Sequence, residues 1–244
     1  MIHSAKDIDP SIAVDIADRM SLAHIRLCDG QGAEMAWQQN PDWGITPLDA
    51  LQIYSLKTSP AFDAALYAGL RLAKHDFAVS DQVSNFCRHV GVAFQILNDL
   101  KDWMGDYDNK IKRGQDALAL RPTVMLALAL KDATDQQREE LQTLLTGGYD
   151  ESLSEEARID KLRLLFEDCD VFDKAETLVE RSEERAHMIV EEMEDERLQG
   201  LLRFFIETVL ARDTGPTPQE HLDPDSPEAI TAPKSVYVEL GGIG

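Results

Sequence analysis

Apolar positions recur at helical spacing along most of the chain, and only the short piece Val236-Tyr237-Val238-Glu239-Leu240 near its end could dock as a strand or bind a partner. From Ser11 to about Gln39, Ile12, Val14, Ile16, Ala17, Met20, Leu22, Ala23, Ile25 and Leu27 mark a helix that Asp29-Gly30 interrupts. Pro41 and Gly44 punctuate a loop, and Thr46-Pro47 then supplies an N-cap and a first-turn proline for a helix running to about Leu56. Ser59-Pro60 opens the next one in the same way. The segment Ser80 to Trp103, with Val90, Val92, Phe94, Ile96, Leu97 and Leu100, is apolar on most faces yet ends in charge at Gly105-Asp106. A polar loop from Tyr107 to Leu120 follows, and Arg121-Pro122-Thr123 opens a core-like helix, Val124 to Leu130. Further helices are predicted over Asp135–Leu145, Ser154–Glu167, Phe172–Met193 and Glu196–Arg212. The pattern predicts one all-α domain over residues 1–212, large enough to bury a full core.

From Asp213 the composition shifts to Pro, Asp, Glu and Gly, which is read as a flexible tail over 213–244. The formal net charge of −21 excludes non-specific attraction to nucleic acid or an anionic membrane surface. An anionic substrate would need metal ions or a local basic cluster. No apolar run reaches the roughly 18 to 20 residues of a membrane span. Cys28, Cys87 and Cys169 lack metal-ligand spacing and read as reduced thiols, so a cytoplasmic location is expected.

The chemistry concentrates at one helix end. Gln95, Asn98, Asp99 and Asp102 fall at i, i+3, i+4 and i+7 and therefore share a face, an oxygen-rich set suited to a hard cation such as Mg2+. Taken alone, the same residues read somewhat better as a solvated helix end facing water. Downstream, Lys112, Asp116 and Arg121 are spaced so that a polar strap can bring two cations and a carboxylate to that place, where they would bind a diphosphate. Lys57-Thr58, between two helices, is either a further cation and hydroxyl for a leaving group or an ordinary loop pair. His89, upstream on the metal-face helix, reads as a packed core histidine.

Four blocks in order resemble the polyprenyl synthetase family, the trans-isoprenyl diphosphate synthases. Gly30-Gln31 with Glu34 resembles its Gly-Gln-x-x-Asp element, and Lys57-Thr58 its Lys-Thr. Residues 93–102, Ala-Phe-Gln-Ile-Leu-Asn-Asp-Leu-Lys-Asp, resemble the helix of its second Asp-Asp-x-x-Asp, and Lys112, Asp116, Arg121 and Thr123 fall at the intervals of its following loop. The resemblance covers about residues 11–212 and implies an isoprenoid-synthase-type antiparallel helix bundle. It implies ionisation of an allylic diphosphate, assisted by three Mg2+ ions, and attack of isopentenyl diphosphate on the resulting cation to give a linear polyprenyl diphosphate. In that scheme Asn98, Asp99, Asp102 and Asp116 serve the metal, and Lys57, Lys112 and Arg121 hold the diphosphate. Thr58 and Gln95 border the reacting carbons, while Gln31 and Glu34 support Lys57 and the metal waters.

The departures are specific. Asn98 is neutral where the family pattern has aspartate, and Arg121 stands for lysine. The helices that carry the family's first Asp-Asp-x-x-Asp are expected ahead of Gly30 and are missing, for Asp15-Ile16-Ala17-Asp18 is too short a pair to serve. The expectation is therefore the rear part of a longer protein, or a homo-oligomer or a partner that supplies the missing helices, and the alternative is a non-catalytic subunit or degenerate relative that binds an active synthase. A terpene cyclase would be expected to have more than 7% aromatic residues around its cation.

Overall fold

The computed structural model describes residues 8–75, 81–104, 113–147 and 153–212. The first part of the polar loop, 107–112, including Lys112, and the tail over 213–244 lie outside the described residues. The described residues form ten helices and no strand: α1 (Pro10–Gln39), α2 (Pro47–Lys57), α3 (Ser59–Leu72), α4 (Asp81–Met104), α5 (Gln115–Leu118), α6 (Val124–Asp132), α7 (Asp135–Thr146), α8 (Glu155–Asp168), α9 (Val171–Glu191) and α10 (Glu196–Val209).

The caps explain most of the boundaries. Thr46 accepts from the Asp49 amide, while the Asp49 side chain accepts from Thr46 in return, a reciprocal capping box that starts α2 just ahead of Pro47. Thr134 and Gln137 form the same box on α7, and Thr123 and Ser154 cap α6 and α8. Two boundaries differ from the sequence reading. Asp29-Gly30 does not interrupt α1, which runs unbroken to Gln39, and the expected loop contains the single turn α5.

α4 is the axis of the bundle. It packs on α9 along one side and on α3 along the other, α1 covers α2 and α3, and α2 reaches α6. Phe86, Cys87, Val90 and Ile96 on α4 are fully buried, as is Leu162 on α8, and Val124 to Leu130 on α6 are buried without exception. At its C-terminal end α4 is gripped by the rear helices: the Trp103 ring lies 4.9 Å from Phe166 and 6.1 Å from Phe172, and Arg163 donates to the Trp103 carbonyl at 3.1 Å. This fixes the helix end from which Asn98, Asp99 and Asp102 project. His89 is half-buried, with burial and the nearby charges of Arg88 and Arg185 holding its pKa down at about 4. No described helix is long and apolar enough to cross a membrane.

Candidate diphosphate site

The α2–α3 junction, residues 56–59, is clamped between two glycines. A Cβ on Gly30 would sit 2.6 Å from the Lys57 amide nitrogen and 2.8 Å from the Leu56 carbonyl carbon. A Cβ on Gly91 would sit 2.6 Å from Ser59 Oγ and 2.8 Å from Ser59 Cα. Backbone cannot move aside as a side chain tip can, so α1 and α4 approach the junction this closely only because both positions lack a side chain. One turn further along each helix stands the residue that meets the junction's own side chains. On α1 it is Glu34, whose Oε2 accepts from Lys57 Nζ at 2.6 Å. On α4 it is Gln95, whose Oε1 accepts from Thr58 Oγ1 at 3.1 Å.

Glu34 is 6% exposed and serves two cations, because Arg121 Nε stands 3.9 Å from its other oxygen. Arg121 also pairs with Asp116 at 2.8 Å. The strap reaches this position through a defined path. Gly114 adopts a positive φ of 68°, its amide donates to the Asp102 carbonyl, and the Asp102 carboxylate accepts from the amides of Gln115 and Asp116 at 3.2 and 3.1 Å. Gln38 at the end of α1 holds the Ala119 carbonyl at 3.0 Å.

Behind this rim lies a buried polar relay. Gln95 Nε2 donates to Asp99 Oδ1 at 3.2 Å, Tyr54 donates its hydroxyl to Asp99 Oδ2, and the Val124 amide donates to the Tyr54 oxygen at 2.7 Å. Thr58, Gln95, Asp99, Tyr54 and the start of α6 are thereby linked in one chain. Burial pushes the Asp99 carboxyl up to about 7, against the lowering effect of the Tyr54 hydrogen bond, and burial beside Asp99 raises the Tyr54 phenol.

The structure brings Glu34, Lys57, Thr58, Gln95, Asp116 and Arg121 together. Of the residues grouped as metal ligands, Asp102 and Asp116 stand side by side, the Asp102 carboxylate accepting from the Asp116 amide. Asn98 is exposed, Asp102 is partly exposed and raised in pKa by burial, and Asp99, 2% exposed, is committed to Tyr54 and Gln95 on the inner side. Four residues along the helix from Gln95, Asp99 continues the inward-facing row. Gln31 lies exposed on α1. Sequence reasoning missed Tyr54 and Gly91. Nothing local distinguishes Tyr54 from its apolar neighbours, whereas a glycine inside an otherwise apolar helix was a usable sign of close backbone approach.

Among the described residues no three His, Cys, Asp or Glu side chains converge as a metal site. The donors facing outward, the Asn98 amide oxygen and the remaining lone pairs of Asp102, fit a Mg2+ ion that keeps several waters and takes further oxygens from a phosphate, but not a site built from protein ligands alone.

Paired charges rimming a buried polar relay are carried here on an all-helical bundle of the isoprenoid-synthase type. The model of the polyprenyl synthetase family matches residues 3–161, and the chain belongs to that family. It is 29% identical over 134 residues to the short chain isoprenyl diphosphate synthase of Methanothermobacter thermautotrophicus, a match covering 54% of this chain and 40% of that protein. It is 26% identical over 144 residues to the octaprenyl diphosphate synthase of Escherichia coli, covering 59% of this chain and 44% of that protein. A crystal structure of geranylgeranyl pyrophosphate synthase superposes with a TM-score of 0.74 at 19% identity, over 85% of this chain and 63% of that one. The geranylgeranyl pyrophosphate synthase of Corynebacterium glutamicum, solved with isoprenyl diphosphate and magnesium, superposes at 0.70 and 20% identity, over 84% of this chain and 57% of that one. The matched segments span about two fifths of the curated relatives' length.

Proposed function

We propose that the chain serves a Mg2+-dependent prenyltransferase that condenses an allylic diphosphate with isopentenyl diphosphate to give a linear polyprenyl diphosphate of geranyl, farnesyl or geranylgeranyl type. The observation that carries the reading is the convergence of Lys57 and Arg121 on Glu34 beside the Thr58–Gln95 pair. In a chain of net charge −21, two cations fixed side by side by one buried carboxylate form a cradle for concentrated negative charge.

In the reaction the allylic C–O bond breaks, its electron pair leaving with the diphosphate. The isopentenyl double bond supplies the pair for the new C–C bond, and a proton leaves the adjacent carbon. Lys57 and Arg121 neutralise charge that builds on the departing oxygens, a contribution that rises toward the transition state. Lys112, from the same strap, would add a third cation. Thr58 Oγ1 and Gln95 Oε1 border the reacting carbons and relay the proton, while Asp99 and Tyr54 hold the Gln95 amide in one orientation. Bound Mg2+ would supply Lewis-acid neutralisation of the diphosphate, and Asn98, Asp102 and Asp116, with Asp99 as an indirect support, would hold it on this chain. A second copy or a partner bearing further helices would complete the site, and Val14, Met20 and Ile25, 50–66% exposed on α1, are apolar surface it would cover.

A second reading, a non-catalytic subunit that binds an active synthase, is favoured by the neutral Asn98 together with the inward commitment of Asp99. Isothermal titration with a non-hydrolysable allylic diphosphate analogue separates the two. Mg2+-dependent binding that falls at least tenfold in Lys57→Gln and in Arg121→Gln is expected. Metal-independent binding would favour the subunit, and no binding at millimolar analogue would overturn the prenyltransferase reading.

A further inference from the structure

A second concave feature lies on the other side of the clamped junction. It is a cavity of about 190 Å³ between α1, the end of α2, α3 and α4, lined by Arg26, Ser55, Ser59, Ser84, Asn85 and Arg88 among others. Arg26 precedes Gly30 by one turn and Arg88 precedes Gly91 by one turn. The two arginines therefore enter from facing helices at the level just below the clamp. Glu34 and Gln95 stand one turn above it. With about 1.5 Å of rise per residue, Arg26 lies about 12 Å along α1 from Glu34, and Arg88 about 10 Å along α4 from Gln95. Lys57 and Arg121 are thus held at a separate level.

The charge of the cavity is unusual for this molecule. The chain carries 45 acidic against 24 basic residues, yet among the described residues neither Arg26 nor Arg88 has an ion-pair partner. The one carboxylate in the lining, Asp63, is already satisfied. Arg19 grips it with two hydrogen bonds of 2.7 Å, and Ser84 donates to it at 3.0 Å. Asp63 is 6% exposed and the Arg19 guanidinium also stacks over the Tyr67 ring at 5.1 Å, so that pair is locked in place and leaves the cavity a net excess of two positive charges. The Ser55 hydroxyl and the Asn85 amide add neutral donors.

We infer that this cavity is a second oxyanion site, in which Arg26 and Arg88 hold an inorganic phosphate or diphosphate from opposite sides. Guanidinium forks match phosphate oxygens two at a time, which a pair of ammonium groups would not do. The volume selects against larger ligands, since pockets for drug-sized molecules run from about 300 Å³ upward. The site needs nothing from Lys57 or Arg121 and no divalent metal, because its compensating charge is built in.

Titration of the whole chain with inorganic diphosphate in EDTA, at constant ionic strength set with chloride, tests this. The expected result is saturable binding that weakens at least tenfold in Arg26→Gln/Arg88→Gln and is unchanged in Lys57→Gln/Arg121→Gln. Both arginines are exposed, so the double variant should keep the wild-type melting curve. The charge-conserving Arg26→Lys/Arg88→Lys should bind with intermediate strength. Absence of saturation at millimolar diphosphate overturns the inference. So does full retention in the double glutamine variant, or a loss that follows Lys57 and Arg121. Arginine-dependent capture of polyglutamate without diphosphate binding would overturn it too, marking the cavity as a contact for an acidic polypeptide.

Discussion

The two halves of the bundle are held together differently. Around the α2–α3 junction, contacts are made backbone to backbone through Gly30 and Gly91, and the polar groups are buried and mutually satisfied: Glu34 with Lys57, Asp63 with Arg19, Asp99 with Tyr54. In the rear helices the core is apolar, with Phe166, Leu162, Val179 and Leu202 closed from solvent, and the ion pairs are on the outside, such as Arg163–Glu167 and Lys174–Asp132. Apolar packing specifies volume and tolerates small adjustments. A buried polar junction specifies position, because each donor has one acceptor it must meet. The front half is built for placing charged groups and the rear half for holding the end of α4 still.

Adding one methyl group should break this contrast most sharply. Gly91→Ala and Gly30→Ala each force backbone apart at the junction, with an expected loss of about 1–3 kcal/mol in denaturant unfolding. Loss of metal-dependent analogue binding should accompany it, since Glu34 and Gln95 would be carried away from Lys57 and Thr58. The next effect is a pH dependence. The folded pKa of Asp99, about 7, lies above the ordinary 3.8, so the folded state holds the proton more tightly. Between about pH 4 and 7 the native state binds more protons than the unfolded one, and stability should therefore fall as pH rises through that window. Asp99→Asn should flatten that part of the melting-temperature profile between pH 4 and 8, and an unchanged slope would show that the carboxyl is not the group responsible. The smallest effect has the opposite sign. Gly32, two residues from Gly30 on the same helix, has open space around it, so Gly32→Ala should stabilise by about 0.5–1 kcal/mol.

That neighbouring glycines should respond in opposite directions marks the limit of what the sequence makes legible. The helices are readable because caps and periodicity are local: Thr46-Pro47 announces α2, and the apolar run after Thr123 announces α6. The pairing of Lys57 with Glu34 and of Thr58 with Gln95 was foreshadowed only by a resemblance in motif order, since these residues lie 23 and 37 positions apart. The placements of Asp99 and Asp102 were not legible. Both share the helix face assigned to a metal, yet a tyrosine 45 positions earlier claims one, and the amides of a one-turn helix claim the other. Periodicity tells which residues point together, while burial decides whether they meet solvent or a partner.

Glu34 occupies the cradle as a resident counter-ion. Any anion entering between Lys57 and Arg121 must compete with a carboxylate that is already there, nearly buried, and attached to the scaffold at no translational loss. On the proposed reading, a singly charged ligand would gain no electrostatic advantage over Glu34, whereas a multiply charged one would. Glu34 would thereby set a charge threshold for occupancy that favours a diphosphate over chloride or a lone carboxylate before the shape of any tail is read.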